Sequence, residues 1–242
     1  MSINRRQRVA LAAGVLAFVL VLALARRRLA SGRMPHLGRW QRLAAAQWGE
    51  SEATRLGRLV QRRYEALRRE RPEISDRVLH YHVEHLVLPA VALYQTLRDN
   101  GHSGDEAVEQ VGELVEGSLR PIRRLMPLLR LAPDPLAVVR ALSNLVARVA
   151  FPPQGWQSET VEDGADAYGF DMRRCFYRDE FAAYGAPELT ACFCQADDIL
   201  FQALPPSLAW ERSGTLGRGA DRCDFRWRRV RSSGTLRHPS EA

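Results

Sequence analysis

The chain has 242 residues, 46% of them hydrophobic, which is enough for one ordinary domain and an appendage. All 35 of its Lys+Arg residues are arginines, so mechanisms that require a lysine Schiff base or a P-loop lysine are excluded. The net charge of +7 is unevenly placed: residues 26–71 hold 13 arginines against four acids, residues 72–242 hold 19 against 24, and no zinc-finger or aromatic-basic pattern points to nucleic acid.

Val9 to Ala25 is a 17-residue run without a charge, preceded by Arg5, Arg6 and Arg8 and followed by Arg26, Arg27 and Arg28. That is the short end of a membrane span, with arginines able to snorkel to both interfaces. A cleavable signal peptide competes, because Ala23-Leu24-Ala25 has the small-x-small form of a cleavage site. Three arginines directly after that site resist translocation and favour a cytoplasmic C-terminal side. The expected organisation is a single-pass membrane anchor over 1–28, a basic juxtamembrane helical segment over 29–71 against anionic lipid, a cytoplasmic domain over 72–231 and a disordered tail over 232–242.

Trp40 to Arg69 reads as one amphipathic helix, and Pro72 interrupts it. Ser75 is the expected N-cap of a helix over Asp76–Leu97, inside which Pro89 predicts a kink or break near Val87. After the turn at Asn100-Gly101, Ser103 and Glu106 have capping-box spacing and start a third helix. Further helical stretches cover Pro121–Leu131 and Pro135–Phe151, and Pro152-Pro153 closes the helical half. Trp156–Val161 and Ala167–Arg174 read as strands, Phe176–Tyr184 as a short helix, and Leu208–Leu216 and Asp221–Val230 as a hairpin through Gly217-Arg218-Gly219. The expected class is α+β: an N-terminal transmembrane helix, then a helical half followed by a small antiparallel sheet with interspersed helices.

Between the two strand regions lies ELTACFCQADDILFQAL, Glu188 to Leu204. Residues two apart on a helix diverge by about 200°, so Cys192 and Cys194 face opposite sides and cannot share one ion on an intact helix. Cys192 lines up with Ala196 and Ile199 and is expected in the core, whereas Cys194 shares its face with Asp197 and Asp198. Carboxylates beside Cys194 oppose a thiolate unless an arginine or histidine outweighs them, but they would suit a zinc ligand. In His80-Tyr81-His82-Val83-Glu84-His85 the spacing is not that of H-E-x-x-H, and His85 is a candidate general base on an otherwise polar face.

The succession LPAVALYQTLRDNGHSGDEAV (Leu88–Val108), Arg174-Cys175, GAPELTACFCQADD (Gly185–Asp198) and ERSGTLGRGADRCDFRW (Glu211–Trp227) resembles the L-2-amino-thiazoline-4-carboxylic acid hydrolase family over residues 75–230. The matching positions are Cys175, Cys194, Asp197, Asp198, Thr215, Gly219, Cys223, Asp224 and Phe225; Cys192 is not among them. The resemblance implies hydrolytic opening of a cyclic amidine, a thiazoline carboxylate giving N-carbamoyl-L-cysteine, with no cofactor and no metal. It implies catalytic positions at Cys194, Asp198, Asp197, Cys175 and Cys223, with Cys194 or Cys175 as nucleophile and Asp198 as acid/base. Arg174, His85 and Thr215 are the expected substrate contacts. The expected partners are a small-molecule substrate and membrane lipid, without nucleic acid. Two other readings stand beside this one: a non-catalytic small-ligand or sensory module at the membrane, and a structural zinc site built from Cys175, Cys194 and Cys223 with a histidine or aspartate.

Overall fold

The computed structural model describes residues 32–230, so the expected anchor and tail lie outside the described residues. Among the described residues no helix is long and apolar enough to cross a membrane.

The first helical stretch is two helices, α1 (Leu37–Trp48) and α2 (Glu50–Glu70), because Gly49 between them takes φ 84°, a backbone conformation that favours glycine. Trp40, Leu56 and Val60 are fully buried and join the core formed with Val83, Val87, Leu93 and Leu97. The basic segment expected apart from the domain therefore supplies part of that domain's interior. Its arginines remain on the outer face while the leucine and tyrosine stripe turns inward, the ordinary division of an amphipathic helix.

The next helix is capped by Asp76, whose Oδ1 accepts from the backbone N–H of Val78 (2.8 Å) and Leu79 (3.0 Å). It comprises α3 (Arg77–His82), a π-helical turn (Val83–Val87) and α4 (Leu88–Asp99). Pro89 has no N–H, and its ring would clash with the carbonyl four residues earlier, so the ladder widens by one residue just before it rather than breaking. The helix α5 (Gly104–Arg123) opens on the expected box: the Glu106 N–H donates to Ser103 Oγ (3.2 Å) and the Ser103 N–H donates to Glu106 Oε2 (2.8 Å). A 3₁₀ turn (Met126–Leu131) and α6 (Pro135–Ala150) complete the helical half.

Four antiparallel strands follow: β1 (Trp156–Asp163), β2 (Ala167–Cys175), β3 (Leu208–Glu211) and β4 (Cys223–Arg229), in spatial order β1-β2-β4-β3. The helices α7 (Phe176–Ala183) and α8 (Leu189–Phe201) lie between β2 and β3 in the chain. This is an α+β arrangement, as the succession of helical and alternating patterns implies. The β2–β4 register sets Met172 opposite Cys223 and Tyr168 opposite Trp227, and the latter rings stack against a second core containing Leu136, Val139 and Leu208. The strand β3 stops at Glu211 instead of reaching Leu216. The Asp224 carboxylate captures the backbone N–H groups of Ser213 and Gly214 and bends the chain out of the sheet.

Candidate active site around Cys194

The two cysteines of α8 part company as helical geometry requires. Cys192 turns to α5, its thiol 3.5 Å from the Val108 carbonyl, and burial pushes that thiol up to about 11. Cys194 turns the other way, toward the loop between β3 and β4. That loop is shaped by Asp224, which holds Ser213 and Gly214, and by Gly219, whose φ of 88° a side chain would strain. Although burial would raise Asp224, the hydrogen bonds from Ser213 and Gly214 hold its carboxyl below the usual range.

Everything the loop brings to Cys194 favours the thiolate. The Cys223 thiol donates to it first of all; burial opposes ionisation; then the Thr215 hydroxyl, the Gly217 N–H and the positive charge of Arg212 add to the stabilisation, and Cys194 falls to about 6. The thiolate of the pair belongs on Cys194 because Cys223 receives only the Leu216 N–H (3.2 Å), and its own thiol is pushed upward by the hydrogen bond to Cys194 and by burial. The Thr190 and Thr215 hydroxyls are both buried, and Thr215 is among the groups that favour the Cys194 thiolate.

The loop sits against α8 so closely that a Cβ on Gly217 would lie 2.8 Å from Cys194 Sγ and 3.0 Å from the Thr190 backbone. Gly217→Ala is therefore expected to cost about 1–3 kcal/mol by overpacking, and to lose the thiol's early titration as the loop moves off. Chemical denaturation and the pH midpoint of Cys194 alkylation measure the two effects; an alanine variant that keeps both would show that the contact is slack.

Arg212 is the residue that the sequence reading did not single out, although it lies in the quoted ERSGTL run. Its side chain is 3% exposed, and it donates to Asp197 Oδ2 (3.0 Å), Asp198 Oδ2 (2.6 Å) and the Cys194 carbonyl (2.6 Å). Its guanidinium lies 5.5 Å from the ring centroids of both Trp210 and Phe225. The signal for it is the acidic pair itself, since two adjacent carboxylates drawn into a fold require a cation.

The two aspartates are not equivalent. Asp198 has both oxygens engaged, Oδ1 by the Trp210 indole N–H (3.1 Å) and Oδ2 by Arg212. Asp197 keeps 38% of its side-chain surface open and is held by Arg212 through Oδ2. Desolvation raises it to about 7 despite the opposing pull of Arg212, and the Cys194 charge adds to the rise.

Cys175 ends β2 and feels the charge of Cys194, while the electrostatics of Cys223 include Cys175, so the three thiols fall in one neighbourhood. Burial raises Cys175, although the Arg178 and Tyr177 N–H groups favour its thiolate. Tyr177, next in line, is partly buried and interacts electrostatically with both Cys175 and Asp197. Its hydroxyl is 2.6 Å from His82 Nδ1. His82 Nε2 faces the Ala150 carbonyl at 2.6 Å and must donate there, so Nδ1 accepts from Tyr177. His82, not His85, is thus the histidine that backs the cysteine neighbourhood.

His85 lies on the π turn against Tyr81, with its Nδ1 buried and unpartnered; burial lowers its basicity, and the charges it feels are Glu84, His80, Arg68 and His36. Arg174 is held at the surface by Asp179 (3.0 Å) and the Gln154 carbonyl (2.9 Å). Among the described residues no group of three or more His, Cys, Asp or Glu is disposed to hold a metal ion, so the zinc reading finds no ligand set there. A groove of about 550 Å³ between α2 and α4, lined among others by Arg62, Arg63, Thr96 and Asp99, includes none of the three clustered cysteines.

No curated protein matches the chain. Among solved structures it is similar to the Fe(II) unliganded H-NOX protein of K. algicida (11% identity, 81% of this chain and 96% of that one, TM-score 0.34). It is also similar to an H-NOX protein of S. oneidensis in the Fe(II)NO ligation state (12% identity, 82% and 100%, TM-score 0.32). The stronger match is to a family: residues 80–227, running from α3 through the Cys194 helix and its loop to β4, fit the sequence pattern of L-2-amino-thiazoline-4-carboxylic acid hydrolase. With more than half of its length inside that pattern, the chain belongs to the L-2-amino-thiazoline-4-carboxylic acid hydrolase family.

Proposed function

We propose that the protein hydrolyses a cyclic amidine of the thiazoline carboxylate class, with Cys194 as nucleophile. The observation that carries this reading is the convergence of the Cys223 thiol, the Thr215 hydroxyl, the Gly217 N–H and the Arg212 charge on one sulfur. A thiolate prepared in this way attacks the sp² ring carbon between nitrogen and sulfur. The ring C–S bond then breaks, and the departing sulfur takes its proton from Asp197, which is poised to hold one near neutral pH. Water, giving a proton back to Asp197, adds to the same carbon and expels the Cys194 thiolate. The net change is addition of one water, leaving a carbamoyl group on nitrogen and a free thiol. Asp198 is assigned the positioning of Arg212 rather than proton transfer, since both its oxygens are already engaged. We place the enzyme at a membrane through Val9–Ala25, with the body cytoplasmic, a reading supported by the flanking arginines.

The test is a ring-opening assay that follows the released thiol, using the full chain and its Cys194→Ala variant on 2-aminothiazoline-4-carboxylate and related cyclic amidines. Release by the wild type that is lost in the variant supports the reading. A wild type inert on every cyclic amidine, or a variant as active as the wild type, removes it.

A further inference from the structure

Of the eleven large hydrophobic side chains exposed among the described residues, eight lie in one continuous stretch: Ile122, Leu125, Leu128, Leu131, Leu142, Leu145, Val146 and Val149. The first four recur every third residue across the end of α5 and the 3₁₀ turn, where i and i+3 eclipse. The last four follow i, i+3, i+4, i+7 and form one stripe of α6. Only Leu136 and Val139 of α6 are buried, against the sheet, so the exposed stripe is a second apolar face left without a neighbour. Leu131 is 73% exposed and Leu125 60%, far from the occasional surface leucine that needs no explanation.

The charge around this face is one-sided. From Arg120 to Ala150 the chain carries six arginines and one acid, and that acid, Asp134, is spent on capping α6 and pairing with Arg229. Arg120, Arg124, Arg130 and Arg148 are exposed and form no ion pair among the described residues. The body outside this region is mildly acidic, so the patch is not a share of a general basic surface. Leucines ringed by arginines match an anionic bilayer surface: the apolar side chains enter the headgroup–acyl boundary and the guanidinium groups meet lipid phosphates.

We propose that the face formed by the end of α5, the 3₁₀ turn and α6 docks onto an anionic lipid bilayer. This docking goes beyond tethering by Val9–Ala25, because it fixes which side of the domain meets the lipid, and it is independent of the ring-opening chemistry.

The test uses the full chain with a nitrobenzoxadiazole label on Leu145→Cys, and a control label on Glu109→Cys, which lies about 20 Å back along α5 from Arg123 at 1.5 Å per residue. Wild-type chain carried through the labelling gives the background from native thiols. On vesicles of phosphatidylcholine with phosphatidylglycerol, the Leu145 label is expected to shift to the blue and be quenched by nitroxide lipids, and the Glu109 label is not. Changing Arg123, Arg124 and Arg130 to Gln should reduce the ratio of docked to undocked protein about fivefold for each arginine that meets the headgroups. A Leu145 label that stays in water on vesicles retaining the protein overturns the proposal, as does equal desolvation on phosphatidylcholine alone. A blue shift without vesicles also overturns it: dependence on protein concentration then assigns the face to a second copy, and loss on deletion of Val9–Ala25 assigns it to that segment.

Discussion

Arg212→Met is expected to lower folding stability by about 3 kcal/mol and the melting temperature by roughly 6–12 °C. The guanidinium serves two carboxylates and a carbonyl while lying against Trp210 and Phe225, and methionine keeps most of the volume and none of the donors. Breaking a buried ion pair by deleting one partner leaves an uncompensated charge, which costs more than the pair itself contributes. The loss sits at the low end of the usual range because Asp197 and Asp198 keep 38% and 21% of their side chains open to water. The sign with pH follows from Asp197. Its folded-state value is already raised and rises further without Arg212, so it disfavours folding increasingly as pH climbs from its unfolded value near 4 through 7. The deficit of Arg212→Met should therefore be larger at pH 8 than at pH 4. Adding Asp198→Asn should restore part of the stability. Urea denaturation at the two pH values checks this, and a loss no greater than that of the surface variant Arg174→Met would refute it.

Local signals in the sequence carried as far as their own turn of chain. The Ser103–Glu106 box is legible because both partners lie within one helical turn, and the parting of Cys192 from Cys194 because it depends only on helical pitch. Pro89 announces a disturbance, but whether the ladder breaks or widens depends on what packs around Val83 and Val87, both fully buried. The break at Gly49 is hidden by an amphipathic stripe that continues across it. Arg212 escapes for a different reason. Its partners lie 14 and 15 residues earlier on another element, and its burial depends on the bend that Asp224 imposes on the loop. One arginine among 35 carries no mark of its own, so only the demand of Asp197 and Asp198 for a cation points to it. The same limit separates His82 from His85: three residues apart on the sequence, they are told apart by Tyr177 and Ala150, 95 and 68 residues away from His82.

Cys194 is expected to titrate early, and activity is expected to follow it. Alkylation by iodoacetamide should rise with a midpoint near pH 6, and in Cys223→Ala, which removes the leading donor, the midpoint should move up by a unit or more toward the ordinary thiol value of about 8.5. The midpoint is the quantity to measure, since a thiolate of higher pKa is intrinsically more nucleophilic and partly offsets its lower abundance at any single pH. Stability carries the same signature. A thiol whose folded value lies below its unfolded one stabilises the fold above the unfolded value, and that contribution is lost as pH falls through about 6. The wild type should thus exceed Cys223→Ala in stability most clearly near pH 9, with the difference fading below pH 6. For catalysis the sulfur must be deprotonated and Asp197 protonated, which predicts a bell-shaped kcat/KM with its maximum between about 6 and 7. The two limbs belong to the pair, because each charge raises the other's cost of ionisation. Cys194→Ala should remove ring opening by on the order of 10⁴ or more, as loss of a nucleophile does elsewhere. Asp197→Asn should flatten the alkaline limb while leaving the alkylation midpoint at or below that of the wild type. If the alkaline limb survives in Asp197→Asn, the proton reaches the leaving sulfur from another group.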